Sequence, residues 1–156
     1  MNAFLVARTN SKCDYTSIEA FPLGEEEWSN LNYADSEGKD LFNKLHEAEW
    51  NKKVLINENF SFTKIETTLE NYFPQNESFD LVFFDAFSPD KQPELWTEEV
   101  FRKMFSAMKR GGILVTYCAK GQVRRNMKAA GFEVERAEGP PGKREMLRAV
   151  KFDKLT

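Results

Sequence analysis

The feature that most constrains the fold is a short apolar run that ends at a carboxylate. Residues 81–84 read L-V-F-F without polar alternation, and Asp85 follows directly. Such a run is typical of a strand that is covered on both faces, as in parallel sheets. Residues 113–118, I-L-V-T-Y-C, form a second run of this kind. Two covered strands predict an α/β fold, because helices must cover the faces of their sheet.

The segment after Asp85 is a candidate site for chemistry. A loop that contains Pro89 and Pro93 separates the strand from a predicted helix over 94–108. In open α/β sheets, ligands bind beyond the carboxyl ends of the strands. Asp85 and Phe87, an acid and an aromatic at such a position, are therefore the predicted catalytic residues. The alternative for Asp85 is a carboxylate that only caps the turn.

The other predicted elements alternate along the chain. Strands are expected at 14–20, 59–66, 132–136 and 145–152, and helices at 25–31, around Leu41–Ala48 and at 120–130. The run K-R-G-G at 109–112 predicts a helix stop, since cations and glycine favour helix C-termini. The last two strands are joined without a helix, so they should pair antiparallel. This order predicts a mostly parallel sheet that ends in an antiparallel hairpin.

Charge divides the chain unevenly. Residues 1–100 carry a net charge of −12 and residues 101–156 carry +9, within a total of −3 for 156 residues. A basic end of this kind indicates either a nucleic-acid partner or a solvated charge imbalance without a partner. No apolar run approaches the length of a membrane span. The two cysteines fit no metal or redox spacing, so we expect no metal site and a cytoplasmic location.

Three sequence blocks resemble a known family. Residues 85–97, D-A-F-S-P-D-K-Q-P-E-L-W-T, resemble the D-G/A-F-x-P-x-x-x-P-x-x-W block of the tRNA methyltransferase domain of MnmC proteins and their stand-alone MnmD-like relatives. Residues 121–125 resemble the G-x-V-R-R segment of that family, and residues 142–146, G-K-R-E-M, resemble a segment near its C-terminus. Residues 17–23 resemble its second strand. The resemblance implies a Rossmann-like class I S-adenosylmethionine methyltransferase fold.

The resemblance also implies a reaction and a partner. The family uses S-adenosyl-L-methionine to methylate the 5-aminomethyl group of a modified wobble uridine in tRNA. In that reaction Asp85 would hold the amine, take its proton and lie next to the cofactor. Phe87 would stack on the uracil or line the pocket.

Cofactor contacts are expected at two other strand ends. Glu19 is placed to accept the ribose hydroxyls, and the alternative is an exposed strand-end carboxylate. Ile65 and Glu66 would lie near the adenine, although Glu66 could instead cap a following helix.

Basic residues near the C-terminus are candidates for tRNA phosphates, and each could equally be a solvated surface charge; they are Arg124, Arg125, Lys143 and Arg144. Trp96 is expected to pack in the core, and Tyr117 either faces the pocket or packs as a strand aromatic. His46, the single histidine, is expected to be structural because no triad or metal set accompanies it.

One part of the family pattern does not occur in this sequence. The glycine-rich E-x-G-x-G-x-G loop and the strand before it are missing, and residues 2–5 resemble the family segment directly after that loop. We therefore expect a single, N-terminally truncated domain over 1–156 that lacks the first central strand and binds the cofactor weakly. Two alternatives stay open: a methyltransferase for a different amine, and a non-catalytic remnant that binds RNA or a partner.

Overall fold

The computed structural model describes residues 11–32, 38–139, 142 and 145–152. Residues 2–5, Lys143 and Arg144, on which some predictions fall, lie outside these ranges. The chain divides into two compact units, Met1–Tyr72 and Phe73–Thr156. The single domain over 1–156 and its missing first strand stay predictions.

Within its described residues, the first unit contains a three-stranded sheet and two helices. Its strand order is β1-β3-β2, with β1 parallel to β3 and β2 antiparallel to β3. The elements are β1 (Cys13–Glu19), α1 (Glu25–Trp28), α2 (Lys39–Glu47), β2 (Lys53–Asn57) and β3 (Phe60–Glu66).

Alternation in β3 explains the core of the first unit. Phe60 and Phe62 point to one face and are buried, and Tyr15 of β1 packs on them with ring centroids 6.3 and 5.9 Å away. The sequence prediction missed β2, a five-residue strand whose outward positions are exposed, Leu55 among them. Residues 67–72, which follow β3, form a non-helical turn.

The second unit contains a four-stranded sheet in the order β4-β5-β7-β6. Strands β4 and β5 are parallel, whereas β7 is antiparallel to both β5 and β6, so the predicted terminal hairpin is confirmed. The elements are β4 (Phe79–Phe83), a 3₁₀ helix (Pro93–Trp96), α3 (Glu98–Ala107), β5 (Met108–Thr116), α4 (Gly121–Ala129), β6 (Glu133–Glu138) and β7 (Glu145–Val150).

Two details of the second unit differ from the sequence prediction. The helix expected over 94–108 is interrupted at Thr97, whose extended backbone and side-chain oxygen cap α3 by accepting from the Val100 N–H. The stop expected at 109–112 belongs to β5, because Gly111 and Gly112 exchange backbone hydrogen bonds with Lys151. Gly111 takes a positive φ of +76°, a backbone conformation that glycine adopts readily.

Strand pairing is less dominated by parallel ladders than predicted. Among the described strands two ladders are parallel and three are antiparallel, because β2 adds an antiparallel hairpin. Strand β4 is also not covered on both faces, since Leu81 is 45% and Phe83 37% exposed. In the described sheet it pairs with β5 alone. The α/β class itself is confirmed.

Candidate active site

The loop after β4 forms one wall of an open depression of about 420 Å³. Asp85 and Phe87, the two predicted catalytic residues, both line it, and Phe87 is 68% exposed. The other lining residues are Ala86, Ser88, Lys91 and Tyr117. The structure therefore brings the two predicted residues to one surface, together with a tyrosine from the end of the neighbouring strand.

Two aromatic side chains hold the backbone of this loop. The Tyr117 hydroxyl donates to the Ala86 carbonyl at 2.8 Å, and Trp96 Nε1 donates to the Phe87 carbonyl at 2.8 Å. Trp96 is 3% exposed and packs edge-on against Phe84, with ring centroids 5.1 Å apart. The predicted core role of Trp96 is thereby confirmed, and its indole also fixes the loop.

A tight turn continues the wall of the depression. The Lys91 and Gln92 N–H groups both donate to the Ser88 carbonyl, at 2.8 and 3.0 Å. Asp90 forms an ion pair with Lys120, which precedes α4. Ser88 and Lys91 belong to the 85–97 block but were not predicted as site residues. Their position in a Pro-bounded loop after a strand was the available signal.

The environment of Tyr117 favours its neutral form. Burial is the main cause that raises the pKa of its hydroxyl, and negative charge on Cys118 and Asp85 adds to the effect. A neutral hydroxyl keeps the proton that it donates to Ala86. Chemically, the depression offers an exposed carboxylate that can accept a proton or a hydrogen bond, and an exposed ring that can stack on a planar ligand.

The predicted cofactor residues of the first unit lie side by side. In the parallel register, Ile18 is opposite Ile65 and Glu19 is opposite Glu66, at the carboxyl ends of β1 and β3. Glu19 Oε1 accepts from the Phe21 N–H at 2.9 Å, which orients that carboxylate. Because no helix follows Glu66, the alternative in which it caps one is not realised.

Arg124 and Arg125 line a second depression, of about 360 Å³, in the second unit. Lys128 of α4 and Arg136 of β6 also line it, and the site prediction included neither of them. Lys128 could have been found from its helical spacing to Arg124 and Arg125, whereas Arg136 enters only through tertiary structure. Lys143 and Arg144 lie outside the described residues.

His46 has the surroundings of a structural residue, as predicted. It stacks on Trp28 and packs against Phe42, with ring centroids 5.0 and 4.4 Å away. Burial, with help from the charge of Lys64, lowers its pKa. Within the described ranges no three His, Cys, Asp or Glu side chains form a group that could hold a metal ion. The same ranges contain no helix of the length and apolarity that a membrane crossing requires.

Comparison with known proteins now identifies the family. A family model described as S-adenosyl-L-methionine-dependent methyltransferase matches residues 37–152. The chain belongs to this family. The predicted family and its cofactor, S-adenosyl-L-methionine, are thereby confirmed.

Individual relatives show which proteins the chain resembles within this methyltransferase family. The chain is similar to the tRNA 5-methylaminomethyl-2-thiouridine biosynthesis bifunctional protein MnmC of Actinobacillus pleuropneumoniae, with 35% identity over 92% of the chain and 23% of that protein. For MnmC of Nitrosospira multiformis the identity is 31%, over 91% of the chain and 24% of that protein. The chain thus spans about a quarter of the length of these relatives.

A solved structure confirms the methyltransferase fold. The crystal structure of MnmC2 from Aquifex aeolicus matches 89% of this chain and 44% of its own, with a TM-score of 0.71 and 24% identity. The resemblance to MnmC methyltransferase domains, inferred from three sequence blocks, is therefore confirmed at the level of family and fold.

Proposed function

We propose that this methyltransferase transfers a methyl group from S-adenosyl-L-methionine to the 5-aminomethyl amine of a modified wobble uridine in tRNA. The observation that carries the proposal is the depression that Asp85 and Phe87 line together. The names of the MnmC relatives, which refer to 5-methylaminomethyl-2-thiouridine in tRNA, support the choice of acceptor.

Asp85 would prepare the acceptor for reaction. A primary amine attacks a methyl group only after it has lost its proton, so a carboxylate beside it can hold the ammonium and accept that proton. Asp85 is exposed and open to such a ligand. Phe87 would stack on the uracil ring and align the amine, because it presents an exposed ring from the same loop.

The strand ends of the first unit fit the ribose of the cofactor. Glu19 and Glu66 place two carboxylates next to each other, and paired carboxylate oxygens suit a ligand with neighbouring hydroxyl groups. Ile65, half-buried beside them, would offer apolar contact to the adenine. The bound cofactor would supply an electrophilic methyl group on a sulfonium centre.

The reaction tests the proposal directly. The chain would be incubated with radiolabelled S-adenosyl-L-methionine and tRNA that carries the 5-aminomethyl group, and methyl transfer to the RNA would be counted. Asp85→Asn should lower kcat by about 10²-fold, as expected for loss of a positioned proton acceptor. Asp80→Asn is the matched control, because Asp80 lies in β4 and pairs with Lys109 outside the depression.

Two results would contradict the proposal. The amine-holding role of Asp85 is wrong if both variants transfer methyl groups at the wild-type rate. The acceptor is wrong if the chain binds the cofactor but transfers no methyl group to this tRNA.

Cofactor binding has its own matched pair of variants. Glu19→Gln should weaken S-adenosyl-L-methionine binding in a calorimetric titration, since it removes a charged hydrogen-bond acceptor at the proposed ribose position. Glu58→Gln makes the same chemical change just before β3 begins, at the opposite end of that strand from Glu66. This variant should bind the cofactor as tightly as the wild type. Equal binding by both variants would remove Glu19 from the cofactor site.

A further inference from the structure

A concentrated positive surface lies on the second unit, apart from the residues that line the Asp85 depression. We call it the basic depression. Five residues line it: Gly121, Arg124, Arg125, Lys128 and Arg136. Four of these five residues have cationic side chains, and none of the five is acidic.

Helix geometry explains how α4 builds this surface. Positions 121, 124, 125 and 128 follow the i, i+3, i+4, i+7 spacing of one helix face. Val123 and Met127 occupy the opposite face and are almost fully buried, which fixes the helix against its sheet. Gly121 lacks a side chain at the start of this face, where an added Cβ would lie 3.4 Å from Arg125 Nη1.

Few acidic groups neutralise these cations. Arg136 pairs with Glu145 at 3.1 Å, whereas Arg125 Nη2 donates to the neutral Gln122 side chain at 2.7 Å. No carboxylate among the described residues forms an ion pair with Arg124, Arg125 or Lys128. The like charges are thus brought together at some cost, which an anionic ligand would remove.

Arg124 adds a second and independent observation. Its Nε atom is buried and has no hydrogen-bond partner among the described residues. Buried N–H groups of this kind are rare, because the lost hydrogen bond to water is not replaced. An Nε–H group that lacks an acceptor, in a side chain that lines a depression with other cations, favours an anion as the ligand of this depression.

We propose that the basic depression binds a backbone phosphate of the RNA substrate. Guanidinium groups match phosphate oxygens with two parallel hydrogen bonds, and three arginines line this one depression. The inference rests on the proposed function, from which RNA follows as the partner. It extends the predicted phosphate contacts of Arg124 and Arg125 to Lys128 and Arg136.

Salt-dependent binding tests this proposal. Fluorescently labelled tRNA transcript would be titrated with the full chain, and anisotropy recorded between about 50 and 200 mM salt. Arg125→Gln/Lys128→Gln removes two exposed cations. Lys44→Gln/Lys52→Gln, the matched control, removes two exposed cations from the first unit. Each phosphate contact contributes about 0.7 to 0.9 to the slope of log K against log salt.

We expect the slope of log K against log salt to be smaller for Arg125→Gln/Lys128→Gln and unchanged for the control variant. Loss of two contacts should reduce the slope by about 1.4 to 1.8, with weaker binding at the lowest salt. Far-ultraviolet circular dichroism should show that both double variants are folded. The proposal is overturned if the two double variants have equal slopes, or if the wild-type chain does not bind the transcript.

The ion pair between Arg136 and Glu145 allows a second test, which is expected to strengthen RNA binding and does not remove a cation. Glu145→Gln releases Arg136 and takes away a negative charge, so RNA affinity should rise, by up to about fivefold for an exposed pair. Glu133→Gln is the matched control at the far end of the hairpin. An unchanged or lower affinity for Glu145→Gln than for this control would contradict the role of Arg136.

Steady-state kinetics separates this inference from the proposed function. Arg125→Gln/Lys128→Gln should raise KM for tRNA and leave kcat and cofactor binding unchanged. If the wild type methylates tRNA and this variant keeps the wild-type KM, the inference fails and the function stands. If RNA binding depends on the depression but no methyl transfer occurs, the function fails and the inference stands.

Discussion

Replacing Tyr117 with phenylalanine tests how the candidate active-site loop is held. The variant removes the hydroxyl that donates to the Ala86 carbonyl at 2.8 Å. It keeps the aromatic ring, which packs edge-on against Trp96 at 6.2 Å. The change therefore tests the hydrogen bond to the residue that follows Asp85.

The expected magnitude follows from the loss of that hydrogen bond. A neutral hydrogen bond contributes about 0.5 to 1.5 kcal/mol net, so the free energy of unfolding should fall by about 1 kcal/mol. For a chain of this size the midpoint of thermal unfolding should drop by about 2 to 4 °C. If the same loss falls on the transition state, methyl transfer should slow by about fivefold.

A matched tyrosine provides the control. Tyr72→Phe makes the same chemical change at a half-buried ring whose hydroxyl has no hydrogen-bond partner among the described residues. It should change stability by less than about 0.5 kcal/mol. Thermal and urea unfolding followed by circular dichroism would measure both variants. The proposed loop clamp is refuted if Tyr117→Phe and Tyr72→Phe have equal stability and equal methyl-transfer rates.

The pH dependence of stability checks the same contact. The folded-state pKa of Tyr117 is raised above the ordinary value of 10.0, mainly by burial. Its contribution to stability is therefore complete below about pH 10 and is lost as the pH rises through the raised pKa. Tyr117→Phe should lose less stability than the wild type between pH 10 and the onset of unfolding. An identical decline in both proteins would contradict this assignment.

Three further predictions concern the scaffold. Thr97→Ala removes the N-cap of α3 and should cost about 1 kcal/mol in urea unfolding, whereas Thr97→Ser should be nearly neutral; equal costs would exclude the capping role. Gly131→Ala should destabilise the fold by more than about 1 kcal/mol, because φ is +111° and the new Cβ would lie 3.2 Å from the Phe105 ring. Ala129→Gly, in α4, is a comparison variant that changes helix propensity and not this strain. An unchanged midpoint of urea unfolding for Gly131→Ala would contradict the strain argument. Because the pKa of His46 is lowered in the folded state, its contribution to the free energy of unfolding should be complete above about pH 6.5 and should be lost as the pH drops through the folded-state pKa. His46→Gln should therefore make stability fall less steeply over this range, and an unchanged pH profile would contradict the effect of burial.

Local pattern predicted much of the fold. Apolar runs and glycine stops gave the positions of β1, β3 and the terminal hairpin to within two residues, whereas β5 begins five residues before the predicted run at 113–118. It failed at β2, since a five-residue strand with an exposed leucine does not differ clearly from a loop. It also failed at Thr97, where local capping divides one predicted helix into two.

The candidate site was predictable to a similar extent. Asp85 and Phe87 follow from one rule, that ligands bind at the carboxyl ends of strands in α/β sheets. The same rule led to Glu19 and Glu66, and the parallel register places them opposite each other. No sequence rule indicated that Trp96 holds the Phe87 carbonyl, because their hydrogen bond depends on how the 3₁₀ helix packs.

The sequence by itself determined the family, the α/β class and the carboxylate at the end of β4. These features depend on residue types at short, fixed spacings in the sequence, and such spacings are the same however the chain folds. Tertiary structure alone decided that Tyr117, 32 residues after Asp85, holds the backbone of its loop, and that Arg136 joins the face of α4. Contacts between residues far apart in the chain depend on strand order and helix orientation, and no local spacing encodes them.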